Sequence, residues 1–288
     1  MSMMKLDWRI NITGSKMAKV IAIDLGGTNL RVSLVNNNKV VKYIKNKTPK
    51  SQKELVDLMI QGIEQLMEKD VKGIGVASAG PLEKGIIKNP PNLPLRNYNL
   101  KAVLEKRFKK KVEICNDAHS VAFAELKLGV KKKNFIVLTI GTGVGGGIII
   151  DGKLYEGRGY GGEMGHIILD DGKSFEKLVG WKYTKELSMK AFGKELMIND
   201  LLKLNNPKSK EILHQITVHL AQGIGSLINV FDPEVVVLAG GVKETGSKYL
   251  NMIKKEVKKY VILPRTTPIQ WSKLDHPGTL GASLLIDR

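Results

Sequence analysis

The sequence predicts an α/β protein of two lobes with a ligand cleft between them, and three observations carry that expectation. Two glycine-rich turns, Asp24-Leu25-Gly26-Gly27-Thr28-Asn29 and Thr139-Ile140-Gly141-Thr142-Gly143-Val144-Gly145-Gly146-Gly147, each stand between strand-like apolar runs. Strand and helix patterns then alternate in two successive blocks, each opened by one of these turns, which an internal duplication explains better than a single sheet. A chain of 288 residues with 42% hydrophobic content is long enough to bury two cores of ordinary domain size.

Residues 1–16 carry no helix or strand period and precede a second methionine, Met17, so they read as a tail, a tag or an alternative start. The smaller N-terminal lobe is expected over 17–116 and the larger C-terminal lobe over 117–288. Strand 20–23 runs through the first turn directly into strand 30–35, with no helix after the glycines. In residues 51–69, Leu55, Leu58, Met59, Ile63, Leu66 and Met67 recur at helical spacing. A strand over 74–77 ends at Ser78-Ala79-Gly80-Pro81. Strand 111–115 runs into Asn116-Asp117 and a helix over 118–128, so Asp117 stands at a helix start, where dipole and free N–H groups hold a carboxylate ionised. In the second block a long helix over 211–231 stops at Asp232-Pro233. Strand 235–238, the turn Gly240-Gly241 and a helix over 248–260 follow. A final apolar helix over 281–286 is expected to pack back on the N-terminal lobe. Met189 and Met197 read as core filler.

Both glycine turns are suited to phosphate. Glycine brings bare amide groups close to an anion, and Thr28 and Thr142 add hydroxyl donors. The Gly141-x-Gly143-x-x-Gly146 spacing is not a dinucleotide fingerprint, because strand and not helix follows it. The sequence also contains no Gly-x-x-x-x-Gly-Lys-Ser/Thr motif.

The net charge of +18 steers anionic ligands toward the protein. Its lysine clusters at 109–111, 131–133, 254–255 and 258–259 are scattered and not interleaved with aromatic residues, so no nucleic-acid partner is expected. Apolar runs fall far short of a membrane span, no signal-peptide core is present, and the expected compartment is the cytoplasm. Cys115 is the single cysteine, which excludes an internal disulfide and a cysteine-based zinc cluster. His119, His214, His219 and His276 are assigned no function.

Gly161-Gly162-Glu163-Met164-Gly165-His166 and Glu176 place two carboxylates and an imidazole among glycines. A metal site or a set of surface charges is the alternative reading; without a ligand-spacing rule or a thiol, a polyol is the better match.

These residues carry a resemblance. Over residues 20–286 the chain resembles the ROK family (repressors, open reading frames and sugar kinases) of the actin-like superfamily. It does so through Asp24 to Asn29, Ser78-Ala79-Gly80-Pro81, Pro91-Asn92-Leu93-Pro94, Asn116-Asp117-Ala118, Ile140 to Gly147, Gly162 to His166, Leu238-Ala239-Gly240-Gly241-Val242 and Gly278 to Ala282, in the family order. The resemblance implies two actin-like (ribonuclease H-like) lobes and ATP-dependent phosphorylation of a hexose 6-hydroxyl. Asp24 would orient Mg²⁺ through water, Gly26, Gly27, Thr28 and Asn29 would surround the β- and γ-phosphates, and Thr142 and Gly143 would close on them. Gly240 and Gly241 would lie against the adenosine. Gly80, Asn92, Asn116, Asp117, Glu163, His166 and Glu176 would hold the sugar, with Asp117 the catalytic base, an aspartate of ordinary pKa. A homodimer is implied by the family alone.

The chain departs from many family members where they carry a Cys-x-Cys-Gly-x-x-Gly-Cys zinc loop. It has Ile167-Ile168-Leu169-Asp170-Asp171-Gly172-Lys173-Ser174 there, so no zinc site is expected and His166 is expected to act only on the sugar. Glucose is the first substrate expected, with a broad hexose range; N-acetylmannosamine or N-acetylglucosamine comes second and fructose third. Two other classes stand as alternatives. A sugar-sensing regulator without catalysis would place a winged helix before the first hairpin, where Asp24 leaves no room. An actin-like structural or chaperone ATPase would not need Glu163, His166 and Glu176 beside Asn116-Asp117.

Overall fold

The computed structural model describes residues 19–170 and 172–287; the expected N-terminal tail over 1–16 and Met17 lie outside the described residues. The first glycine turn joins β1 (Lys19–Leu25) to β2 (Asn29–Asn36), and β3 (Lys39–Lys47) returns antiparallel beside β2. Almost all of β1 is buried, as an uninterrupted Val20-Ile21-Ala22-Ile23 run in a central strand requires. β3 is a sheet edge, and its recurring lysines keep that edge in water. The Ser51 hydroxyl caps α1 (Gln52–Leu66), whose apolar stripe of Leu55, Met59 and Ile63 is fully buried. β4 (Val71–Ser78) runs parallel to β1. The small hairpin β5 (Leu82–Glu83) and β6 (Ile86–Ile87), then α2 (Leu100–Phe108), lead to β7 (Lys111–Asn116), parallel to β4.

α3 (Asp117–Lys127) starts on the residue after β7. The second glycine turn joins β8 (Phe135–Ile140) to β9 (Val144–Ile150), with β10 (Lys153–Leu154) antiparallel beside it. Helices α4 (Phe175–Val179), α5 (Trp181–Phe192), α6 (Ile198–Leu204) and α7 (Pro207–Phe231) follow. β11 (Val235–Ala239), α8 (Gly246–Val257), β12 (Ile269–Trp271) and α9 (Pro277–Leu284) complete the chain. The sheet orders β3-β2-β1-β4-β7 and β10-β9-β8-β11-β12 are the same arrangement twice, three antiparallel strands and then two parallel ones. This is the duplication that the sequence pattern indicates, and the architecture is two α/β units.

Two helices join the units. α9 lies on β1 and β4 of the first sheet, while α3 packs on β8 and β9 of the second and also on α9. The approach is backbone to backbone at both faces of α9: a Cβ on Gly75 would stand 1.8 Å from the Ala282 carbonyl oxygen, and one on Gly281 would stand 1.8 Å from that of Ser120.

Several boundaries differ from the sequence reading, each for a local reason. α7 begins at Pro207 and not at 211, because Asn206 caps the Ser209 amide and Pro207 fits the first turn. α9 begins at Pro277 after a left-handed His276, earlier than the expected 281, and ends at Leu284. Met59 is fully buried, but Met189 is 46% exposed, which corrects its reading as core filler.

Candidate active site

Strand β1 delivers Asp24 to its C-terminal end, and the tight turn behind it is closed by the Gly26 amide donating to the Asn29 carbonyl at 3.0 Å. Thr48, just beyond β3, holds the turn from outside: its hydroxyl donates to the Gly26 carbonyl at 2.6 Å and its amide to the Thr28 carbonyl at 3.0 Å. The Gly27 amide segment lies flush against Asn92, whose Cβ would be 2.5 Å from any Cβ at 27. Asn92, expected on sugar, therefore also walls the first turn.

Opposite, the second turn is held at three points. The Gly141 amide donates to the Gly143 carbonyl at 2.9 Å, the Trp181 amide to the Gly141 carbonyl at 2.9 Å, and the Val144 amide to Glu176 Oε2 at 3.0 Å. Glu176, at the start of α4, is thus committed by one oxygen to the second glycine turn while it also borders the cleft. Gly240 adopts φ +85° and lies directly over the Ile140 backbone, where a side chain would not fit. Gly241 sits apart. Its α-carbon is covered by the Trp181 ring, 2.2 Å from where a Cβ would reach, and it is not among the cleft-lining residues.

Asn116 caps α3, its Oδ1 accepting from the Ala118 and His119 amides at 2.9 and 3.2 Å, and its Nδ2 faces the Gly80 carbonyl at 3.5 Å. Asp117 Oδ1 accepts from the Ala118 amide at 2.9 Å, which fixes the carboxyl at the mouth of the helix. Gly80 has φ +90° with Pro90 packed on it. His166 Nε2 stands 3.9 Å from Glu163 Oε2.

One cleft of about 710 Å³ between the units gathers these groups: both turns, Asp24, Gly80, Asn92, Asn116, Asp117, Glu163, His166, Glu176 and Gly240 all line it. Its electrostatics are set by carboxylates gathered close together. Burial pushes Asp117 up to about 6, and the nearby charges of Asp24 and Glu163 add to the shift against the opposing helix-terminal amides. The ordinary pKa expected from a helix start is therefore corrected: removing the carboxylate from water outweighs the helix dipole. Burial likewise raises Asp24, with the Arg31 and His276 charges pulling it back.

Four lining or supporting residues escaped the sequence reading. Arg31 pairs across the sheet with both Asp24 and Lys45, its guanidinium 3.8 Å from Asp24 and stacked over the Tyr43 ring at 5.6 Å. The hairpin registers that set Arg31 opposite Asp24 and Lys45 opposite Arg31 put all three on one face, and no signal within a single strand gave that register. His119 bonds the Gly161 carbonyl through Nε2 at 2.6 Å and so ties the Gly161-Gly162 segment to α3. Tyr160, in the same glycine-rich stretch, lines the cleft and is 47% exposed.

The segment after His166 closes on itself. Leu169 donates to the Lys173 carbonyl at 3.0 Å, Lys173 to that of Asp170 at 2.8 Å, and Phe175 to that of Ile167 at 2.7 Å, with the Phe175 ring fully buried beneath. Among the described residues, no group of three or more His, Cys, Asp or Glu side chains is placed to hold a metal ion, and no helix is long and apolar enough to cross a membrane.

The cleft offers two chemistries side by side. One end presents backbone amides, hydroxyls, Arg31 and Lys45 to a polyanion, and the other presents amide, carboxylate and imidazole groups to a polyol. Comparison with known proteins shows what the chain is similar to. The sequence model of the ROK family matches residues 20–288. A glucokinase of Thermotoga maritima is 26% identical, over 93% of this chain and 97% of its own length. An N-acetylmannosamine kinase of Haemophilus influenzae is 26% identical, over 84% and 86%. A ROK family glucokinase from Streptomyces griseus, solved in complex with glucose and AMPPNP, superposes with a TM-score of 0.83 at 25% identity, over 93% of this chain and 98% of its own.

Proposed function

The chain belongs to the ROK family, and on that premise we propose that it is an ATP-dependent sugar kinase that phosphorylates the 6-hydroxyl of a hexose. The observation that carries the reading is the shared cleft: Asp117 lines the same cavity as both glycine turns. Glucose stands first among substrates, supported by the glucokinase relatives, and N-acetylmannosamine is the alternative, supported by the kinase named for it.

The acceptor sugar binds at Gly80, Asn92, Asn116, Glu163 and His166, with the 6-hydroxyl against Asp117. The triphosphate lies between Gly26-Gly27-Thr28-Asn29 and Thr142-Gly143, and Gly240 borders the adenosine. Asp117 Oδ1 is occupied by the Ala118 amide, so Oδ2 takes the proton as the sugar oxygen forms its bond to the γ-phosphorus and the bond to the ADP oxygen breaks. A base near pH 6 is well matched to this task, mostly ionised at neutral pH yet able to hold a proton. The transition state needs alignment and charge neutralisation more than a strong base. Arg31 and Lys45 supply positive charge at the phosphate end.

The donor set fits Mg²⁺, which takes one or two carboxylates and otherwise waters and phosphates: Asp24, lining the cleft beside the first glycine turn, is the residue that would hold it through water. When bound, the ion supplies charge neutralisation on the phosphates. Glu176 acts mainly through the second turn and Gly241 through Trp181, so both are positioning residues in this reading. In this reading the lobes span 17–116 and 117–288, the compartment is the cytoplasm, the assembly is a homodimer, and nucleic acid is not a partner.

An ADP-release assay with ATP and Mg²⁺ over a panel of hexoses and N-acetylhexosamines tests the proposal. Sugar-dependent ADP release that vanishes in Asp117→Ala is expected. Release that needs no sugar, or none on any sugar from folded protein, overturns it.

A further inference from the structure

A second cavity, of about 660 Å³, adjoins the sugar end of the cleft. The two share Gly80, Pro81, Asn116, Tyr160 and Glu163 as a common partition. Gly80 contributes no side chain to that partition, and Tyr160, half-exposed, lines both cavities. Beyond it the chamber runs under the β5–β6 hairpin to α2 and β7, where Lys101 Nζ and Glu113 Oε2 pair at 3.1 Å. The phosphoryl chemistry described above uses nothing beyond the partition.

The lining indicates what kind of group would enter. Two cations, Lys84 and Lys101, stand against three carboxylates, Glu113, Glu156 and Glu163, so the chamber offers no net attraction to a carboxylate or a phosphate. Lysine, glutamate and asparagine side chains share its lining with Tyr160, and its volume lies in the range of small-molecule pockets. That combination suits a neutral polyhydroxylated ring, whose hydroxyls bond the charged edges while one face covers Tyr160. Gly157 and Gly159, at φ +55° and +116°, precede Tyr160 in its loop, and a Cβ at Gly159 would meet open space.

Resting on the kinase reading, we infer that this chamber is a subsite for a second neutral sugar, so that the enzyme accepts a disaccharide whose phosphorylated unit sits at Asp117. The second unit extends from the ring side held by Gly80, Asn116 and Glu163.

The test compares kcat/KM for glucose with that for maltose, cellobiose, lactose and sucrose, in the wild type and in Lys101→Trp, which fills the chamber away from the reacting groups. At least one disaccharide is expected within about tenfold of glucose. Lys101→Trp is expected to lower its kcat/KM at least about tenfold, the effect of one lost charged hydrogen bond or more, with glucose within about twofold. Glu113→Gln, which keeps the volume and removes the charge, gives the same selective direction if the larger substitution unfolds the protein. Turnover of glucose with every disaccharide below about one-hundredth of it overturns the subsite and leaves the kinase reading standing. Equal losses for glucose and disaccharide in both variants also overturn the subsite. Phosphorylation of no sugar overturns the kinase reading and the subsite with it.

Discussion

The Val144 amide donates to Glu176 Oε2 at 3.0 Å, and this bond ties the first turn of α4 to the second glycine turn of the cleft. Gly143 leaves the space for it, since a Cβ there would stand 2.1 Å from the same oxygen. A hydrogen bond to a charged group contributes about 1.5–3 kcal/mol. Glu176→Ala is therefore expected to raise KM for ATP about tenfold and to lower the melting temperature. Gly143→Ala displaces the flexible carboxylate and reproduces part of both effects. Initial rates at varied ATP, with thermal melts, check this.

Asp117 carries the pH dependence. Its pKa of about 6 in the folded chain lies above the ordinary carboxylate value of 3.8, so kcat/KM for the sugar is expected to fall on the acid side with an apparent pKa near 6. Asp117→Asn is expected to lower kcat at least about 10²-fold.

The same shift has a consequence for stability with the opposite sign to a salt-bridged aspartate. The folded state holds the proton more tightly, so ionisation costs stability as pH rises from about 4 to about 6, and the cost is complete above that. Asp117→Asn is expected to stabilise the protein by about 1–3 kcal/mol at pH 7.5 and by nothing measurable below pH 4. Denaturant titrations at the two pH values read the difference; equal stability at pH 7.5 would contradict it.

The Arg31 charge partly offsets the burial that raises the Asp24 pKa, and Arg31 lines the cleft beside the first glycine turn. Arg31→Ala is expected to raise KM for ATP about tenfold and to move the Asp24 titration upward. Arg31→Lys recovers only part, because an ammonium does not reproduce the planar stack on Tyr43. Kinetics at two salt concentrations and an NMR titration of the carboxyl provide the measurements.

The contact between β4 and α9 tolerates no side chain. Gly75→Ala drives its Cβ into the Ala282 carbonyl, a backbone atom with no rotamer to yield, and is expected to cost about 2–4 kcal/mol by overpacking. Gly281→Ala does the same against Ser120. Chemical denaturation reads both losses, and Gly152→Ala, with open space around it though at φ +73°, is expected to cost less than either.

The sequence by itself determined the repeated strand-turn-strand units, the two glycine-rich turns and the placing of Asn116-Asp117 where a strand meets a helix. Those features depend on neighbours a few residues away: alternating burial, a cap, or a glycine at a turn. The same locality limited it. It read Asp117 as an aspartate of ordinary pKa because the helix start was visible and the burial was not, and it could not see that Asp24 and Glu163 would crowd the same carboxyl.

Only the tertiary structure decided what lies beside what. It set Glu176 on Val144, 32 residues earlier in the chain, placed Gly241 under Trp181, and brought Arg31 and Lys45 to the cleft through strand register. It also opened the chamber behind Gly80, formed from α2, β7 and the Tyr160 loop. Charges and cavities depend on distances between segments far apart in sequence, and those distances are fixed only when both sheets close on α3 and α9.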